Sequence, residues 1–566
     1  MSRRRVAIAL KTPFAFRFEL CSIHCVRRLL LIGLLLLLGG PAAWSEPETK
    51  SPELWFYYST NLQSEENLAP LETVFRRAAA AGYTQVYLTD SKFGRLDSVE
   101  PVYFQNAEKV KALASELHLE IVPGIFPIGY SEALLSHDPN LVETLPVRDA
   151  LFVVNNGEAH PVADPPVSFP EGGFRDPKQW GWFDPVVHLE DGVAQVSGAK
   201  GVNARITKTL TVAPFHQYDI SFRLKTQNYT AHPLVEVLAG GTDDSLNNVD
   251  LEVKPTQDWT TYHVVFNSLE QTKVLVSFRA GYTGSAGELW WDQPVIEEAG
   301  LLNIVRRDAD PLVVRTEDGK TLTEGTDFTS VTDPKMGCVP WPGAYDVWHE
   351  PPVLKTSLPD GTRLRVSFYH AITTDRGKVN ICVSEPKTIE ILRDQAKRID
   401  ALFHAKRYFM EHDEIRVLGW DGADEQRHLD SGAILADNIR TCTQIMKEVA
   451  PDATLYVWSD MFDPNHNAHD HYYLVKGNLA GSWEGLDPSV VIANWNSDKP
   501  DKSLAWFANR GHHQLLAGYY DSPPERILPW LQSARGVNNI DAVMYTTWEN
   551  NYADLERFAE IVKSFH

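Results

Sequence analysis

Short apolar runs alternate with helical patterns at both ends of this chain, and that alternation constrains the fold more than any other feature. Residues 54–60, 84–90 and 119–127 read as strands, separated by helical patterns through Leu71, Val74, Phe75 and Ala78 and over 107–117. Later, a long helical stretch over 388–403 leads into the strand-like YFMEHD. A helix over 434–449 then precedes TLYVWSD, VVIANWN, QLLAGYYD and DAVMYTTWEN, with a terminal helix last. Strands that alternate with helices form parallel sheets, because each return crossover needs a helix-length connection. Three early strands and five late ones make eight, which predicts a (β/α)8 TIM barrel.

The rhythm breaks in the middle. Stretches such as ARITKTLTV, YDISFRLKT, TTYHVVFN and VLVSFRAGY alternate polar with apolar residues between Gly, Asn and Asp turns. This predicts an all-β jelly-roll sandwich inserted into the third strand-to-helix connection of the barrel. The expected division is a signal peptide over 1–45 and the N-terminal barrel part, strands one to three, over 46–164. The inserted sandwich follows over 165–300, then a β-rich connecting segment over 301–384, and the C-terminal barrel part, strands four to eight, over 385–566.

The first 45 residues carry a basic stretch, the apolar run 29–38 and a small-x-small site at Ala43-Trp44-Ser45. That run is shorter than the roughly 20 residues a bilayer span needs, so the expectation is a cleaved signal and a secreted or periplasmic protein with no remaining membrane span. These residues hold seven basic side chains and one acidic one, so cleavage takes the formal charge from −22 to about −28. Such an acidic surface repels nucleic acid and leaves neutral or cationic substrates favoured, unless a local basic patch exists. Of five cysteines, Cys338, Cys382 and Cys442 remain after cleavage, an odd number without CxxC spacing, so disulfides are not the main source of stability.

Polar and aromatic side chains gather at the ends of the five late strands: Asp413 and Glu414, then Trp458 and Asp460, Trp495 and Asn496, Tyr519 and Asp521, and Trp548 and Glu549. Active sites of parallel barrels are built at the C-terminal ends of the strands. Aromatic faces stack on the CH-rich faces of sugar rings while carboxylates accept from hydroxyls, so the expected ligand is an oligosaccharide or polysaccharide glycan. The bland reading of Asp413 and Glu414 is an acidic corner paired to Arg407 or Arg416.

The pattern resembles the catalytic barrel of family 20 glycoside hydrolases, the β-N-acetylhexosaminidases, whose fourth strand ends in an Asp-Glu pair within a motif of the type H-x-G-G-D-E. The resemblance implies Glu414 as general acid. It implies Asp413 as the residue that orients the substrate's own 2-acetamido group for attack on the anomeric carbon. It extends to substrate binding by Trp458, Asp460, Trp495, Tyr519, Asp521, Trp548 and Glu549, with Tyr519 on the acetamide oxygen and Asp521 on a sugar hydroxyl. Phe409 to His412 replace the family's His and glycines, and the first strand lacks the family's arginine. The inserted unit resembles family 4/9-type carbohydrate-binding modules through EGGF (171–174), Trp180 and Trp182, DWTTYHVVF (258–266) and GELWWDQPVIEE (287–298). That resemblance implies a mostly structural last motif, a possible structural calcium ion, and either glycan binding or an interdomain brace.

Two other classes compete. The loop 463–473 holds His466, His469, Asp470 and His471, which could ligate a metal for a metal-dependent polysaccharide hydrolase or deacetylase. A non-catalytic glycan-binding protein with a degenerate barrel is the other. No phosphate-binding glycine loop or G-x-S-x-G elbow is present, so no organic cofactor is expected.

Overall fold

The structure, a computed structural model, describes residues 52–197, 204–281, 286–375 and 377–565. The expected signal peptide lies outside the described residues. Eight parallel strands close into a barrel: Glu53–Thr60, Gln85–Asp90, Glu120–Ile125, Arg407–Met410, Thr454–Trp458, Val491–Asn494, Gln514–Tyr519 and Ile540–Thr546. The eighth strand closes on the first, with Glu53 opposite Ala542 and Phe56 opposite Tyr545. Phe409 pairs with Gly124, so the third and fourth strands are neighbours although residues 126–406 separate them in sequence.

Alternation along the strands sorts side chains into two cores. Inward residues such as Trp55, Tyr87, Phe409, Tyr456, Trp458 and Leu515 fill the barrel interior, which is therefore packed and not a pore. Outward residues such as Phe56, Leu88 and Val543 pack under the helices. Leu68–Ala80 buries Leu71, Val74, Phe75 and Ala78, the three-to-four spacing of one helical face. Pro386–Phe403 starts with proline in its first turn and ends at His404, which is left-handed with φ 45°. Among the described residues, helices are fewer than eight full crossovers would need. The connection from the fifth to the sixth strand has no α-helix, only the short strand Leu474–Val475 and the 3-10 turns Asp460–Phe462 and Ser482–Gly485, because the loop between those turns is rich in Asn, Asp, His and Gly instead of apolar periodicity.

Two antiparallel sheets share a second core. The strands Ser245–Asp250, Leu234–Ala239, Lys273–Arg279 and Arg205–Thr211 form one sheet. Gln257–Asn267, Gln217–Gln227, Glu288–Glu298, Val193–Ser197 and Val187–Glu190 form the other. Phe278 of the first sheet meets Phe222 at 5.4 Å and Trp291 at 5.3 Å from the second. Trp291 is buried, as is Trp180, which stacks on Phe174 at 4.6 Å, so the first and last of the three motifs quoted for this unit supply core, while Trp182 is exposed.

A third sheet was not foreseen as such. Thr144–Asn155 and Glu158–Pro161, counted with the barrel in the sequence, leave it and join Val313–Thr316, Leu354–Lys355 and Arg363–Ala371. Thr144–Asn155 pairs antiparallel with Arg363–Ala371 and with Glu158–Pro161, which the parallel barrel does not allow. Among the described residues no helix is long and apolar enough to cross a membrane.

Candidate active site

The barrel strands deliver their C-terminal ends to an open cavity of about 1010 Å³. Its wall carries Glu411, Asp413 and Glu414, which follow the fourth strand, together with Trp458, Trp495 and Trp548. Of the seven residues expected to bind substrate, only these three tryptophans line it.

Glu411 is the next inward position after Phe409 and sits on the floor of the cavity. Tyr87 on the second strand donates its hydroxyl to Glu411 Oε1 at 2.6 Å. Space for the carboxyl comes from Gly124 on the third strand, where a Cβ would stand 2.9 Å from Glu411 Cδ. Burial pushes the Glu411 carboxyl up to about 7, partly offset by the Tyr87 hydrogen bond.

Asp413 lies higher in the wall, its backbone carbonyl packed so closely over Gly129 that any side chain there would collide with it. Burial holds its carboxyl well above the usual range, reinforced by the charges of Asp460, Glu414 and Glu411. Asp460 is buried and also raised, chiefly by burial. It accepts from the Glu414 amide at 2.9 Å, from Asn467 Nδ2 at 3.0 Å and from Trp495 Nε1 at 3.1 Å. The donors on its oxygens favour the charged form of Asp460, whereas burial and the neighbouring charges favour the protonated form of Asp413.

Glu414, with φ 50°, turns aside. Its Oε2 accepts from Arg416 at 2.7 Å and from the Tyr130 hydroxyl. The Arg416 guanidinium lies 5.6 Å from the centres of the Tyr130 and Tyr473 rings. The pairing with Arg416 that the sequence offered as the bland reading is therefore present, within the cavity wall. His412 faces the opposite way, hydrogen-bonded to Asn438 at 3.0 Å. Burial lowers it to about 3, so it is a neutral packing residue.

The aromatic residues form a box beside these carboxylates. Trp458 meets Trp548 at 5.9 Å and Trp495 at 6.4 Å, and Tyr520 stacks on Trp548 at 6.0 Å and meets Trp495 at 6.4 Å. Tyr57 from the first strand closes it, 5.5 Å from Trp548. Trp548 is 49% exposed, whereas Trp458 is 3% exposed and shared with the barrel core.

Three expected binders stand elsewhere. Tyr519 stacks on Tyr545 at 4.2 Å and donates to Asp554 at 3.1 Å, in the layer under the helices. Asp521 accepts from the amides of Trp548 at 2.7 Å and Glu549 at 3.1 Å, so it shapes the loop after the eighth strand. Glu549 is exposed and outside the cavity wall. The cause is local: Tyr519, Tyr520 and Asp521 all have positive φ, 90°, 52° and 51°, and that turn carries Tyr520 into the box in place of Tyr519.

The histidine loop does not converge. His466 packs against Trp495 at 4.8 Å, His469 Nδ1 meets the Asp470 carbonyl, and His471 reaches Asp244 of the sandwich at 3.0 Å. Among the described residues, His466, His469, Asp470 and His471 do not form a cluster of metal-ligating atoms.

Comparison with known proteins adds little. No protein-family model matches the chain, and no curated protein matches it. Among solved structures, it is similar to a rhamnosidase from Novosphingobium sp. PP1Y at 12% identity and TM-score 0.31, over 91% of this chain and 59% of that one. A structure titled "CBM4 structure and function" is 17% identical at TM-score 0.18, over 28% of this chain and 97% of the other. A second module, "Family 16 Carbohydrate Binding Module-2", is 13% identical at TM-score 0.18, over 23% of this chain and 99% of its own. These likenesses are too distant to fix a fold or an activity.

Proposed function

We propose that the protein is an exported glycoside hydrolase that cleaves glycosides of N-acetylated amino sugars at the mouth of a (β/α)8-type barrel carrying a jelly-roll-type insertion. The observation that carries this reading is the aromatic box of Trp458, Trp495, Trp548 and Tyr520, whose three tryptophans line one open cavity together with Asp413, while the buried Asp460 accepts from Trp495. An acetamido group presents a methyl and two polar atoms. The box suits the methyl, and the adjacent carboxyls suit the amide. The amide oxygen would then attack the anomeric carbon, making the hydrolysis substrate-assisted.

The leaving oxygen needs a proton. Glu411 lines the cavity, is anchored by Tyr87 and lies near the pKa that serves an acid at neutral pH, so we assign it as the donor. Asp413, carrying a proton, donates a hydrogen bond to the substrate and orients it. The oxygen of Glu414 that Arg416 and Tyr130 engage acts as an acceptor and fixes the wall beside Asp413. A second reading keeps Glu414 as donor, favoured by its place in the same wall beside Asp413.

The test is release of nitrophenol by the purified protein, starting at Glu46, from glycosides of N-acetylglucosamine, N-acetylgalactosamine, glucose and galactose. Turnover of the N-acetyl substrates only supports the proposal. Binding of oligosaccharide with no turnover of any substrate supports a glycan-binding protein instead.

A further inference from the structure

Away from the cavity, four carboxylates are buried around one arginine, beside the third sheet. Glu143, Asp310, Asp421 and Asp424 are each no more than 1% exposed. Arg307 pairs with Asp310 at 2.8 Å, with Glu385 at 3.4 Å and with Asp421. Asp310 also accepts from the Gly422 amide at 2.9 Å, and Asp421 from the Thr144 hydroxyl at 3.0 Å and the Ala423 amide at 2.8 Å. Asp424 accepts from the Gly419 amide at 2.7 Å and from the Ser384 hydroxyl. No N–H or hydroxyl donor reaches Glu143: both of its carboxylate oxygens are buried, and its one side-chain partner is the carboxyl of Asp424, an acceptor facing an acceptor unless a proton or a cation lies between them.

A buried carboxylate without donors is among the costliest arrangements in a protein interior. Here it stands in a group that already has more acidic than basic side chains. The free, buried Cys382 lies beside it. One ligand atom each from Glu143, Cys382 and Asp424 fall within 4.8 Å of one another, the only such group among the described residues.

We propose that Glu143, Cys382 and Asp424 form a buried structural site for a divalent cation of the zinc class. The thiolate selects against calcium and magnesium, which take oxygen ligands, whereas zinc accepts both thiolate sulfur and carboxylate oxygen. Three side chains leave a fourth position, which the second Glu143 oxygen fills. On binding, the Cys382 S–H bond and the O–H bond of the proton that Glu143 and Asp424 share both break, the two protons leave to solvent, and the sulfur and carboxylate lone pairs form the metal bonds. The site gathers three distant segments: the start of strand Thr144–Asn155, the segment leading into helix Pro386–Phe403, and the turn Gly422–Glu425 after the fourth barrel strand. Its role is to pin the return of the long insertion to the barrel.

The test is elemental analysis of the full chain after exhaustive dialysis. About one zinc per chain is expected, falling at least tenfold in Cys382→Ser and in Glu143→Gln but unchanged in Cys338→Ser, whose cysteine is exposed. If the two site variants do not fold, the wild-type protein refolded with cobalt decides. It should gain the ultraviolet thiolate-to-cobalt charge-transfer band, and excess zinc should abolish that band. A metal-free wild-type protein with no cobalt band overturns the proposal and leaves Glu143 and Asp424 sharing a proton. Full zinc retention in folded Cys382→Ser overturns it as well.

Discussion

The Tyr87 hydroxyl donates to Glu411 Oε1 at 2.6 Å, tying the middle of the second barrel strand to a carboxyl just past the end of the fourth. Glu411 is fixed from below by the aromatic core, where Tyr87 stacks on Phe409 at 4.0 Å. This bond lowers a carboxyl that burial raises, so it sets where the group titrates.

Tyr87→Phe removes that bond and leaves the ring packing intact. The alkaline limb of the kcat/KM profile should move to higher pH, with kcat falling by roughly tenfold, the worth of a charge-assisted hydrogen bond. A profile with an unmoved alkaline limb would separate Glu411 from the activity.

Glu411 also marks stability. Its carboxyl titrates at about 7 when folded, above the ordinary glutamate value, so the folded state binds the extra proton between those two points. That contribution is present at low pH and is lost as pH rises towards 7. Glu411→Gln should therefore lose less melting temperature than the wild type between pH 5 and pH 8, as scanning calorimetry would record. An equal loss in both proteins would place the charge in water.

At Gly124 a methyl group meets the Glu411 carboxyl at a distance real side chains do not tolerate. Gly124→Ala should displace the carboxyl and lower kcat by about 10²-fold, the usual weight of general acid catalysis, while circular dichroism stays that of the wild type. Near-normal turnover in that variant would show that Glu411 is not held in a productive position.

Trp548 is the half-exposed wall of the aromatic box. Trp548→Ala should raise KM about tenfold, in line with the energy of an aromatic contact plus its buried area. Trp291→Ala, in the sandwich core, should instead cost about 3–5 kcal/mol of stability in denaturant titration. A KM change in the Trp291 variant equal to that of the Trp548 variant would place ligand contacts on the sandwich.

The eight barrel strands could be read in the sequence because each is a short apolar run bounded by turn residues, and the closed barrel agrees. Thr144–Asn155 misled because its run TLPVRDALFVVN has no helix after it, and its partner, Arg363–Ala371, lies more than 200 residues on. Within the site, adjacency drew attention to Asp413 and Glu414, whereas strand parity favours Glu411, which shares Phe409's inward side. Parity was available in the sequence. The turn that swaps Tyr520 for Tyr519, and the arrival of Tyr130 at Glu414 from across the insertion, depend on backbone angles and long-range packing that no local pattern encodes.

The most direct measurement compares Glu411→Gln and Glu414→Gln on N-acetylglucosaminides with good and poor leaving groups. If Glu411 is the proton donor, its variant should keep much of its turnover on the activated nitrophenyl substrate. It should lose at least about 10²-fold on a poor leaving group and also lose the alkaline limb near pH 7. The same leaving-group dependence in Glu414→Gln, with Glu411→Gln near wild type on both substrates, would contradict the account.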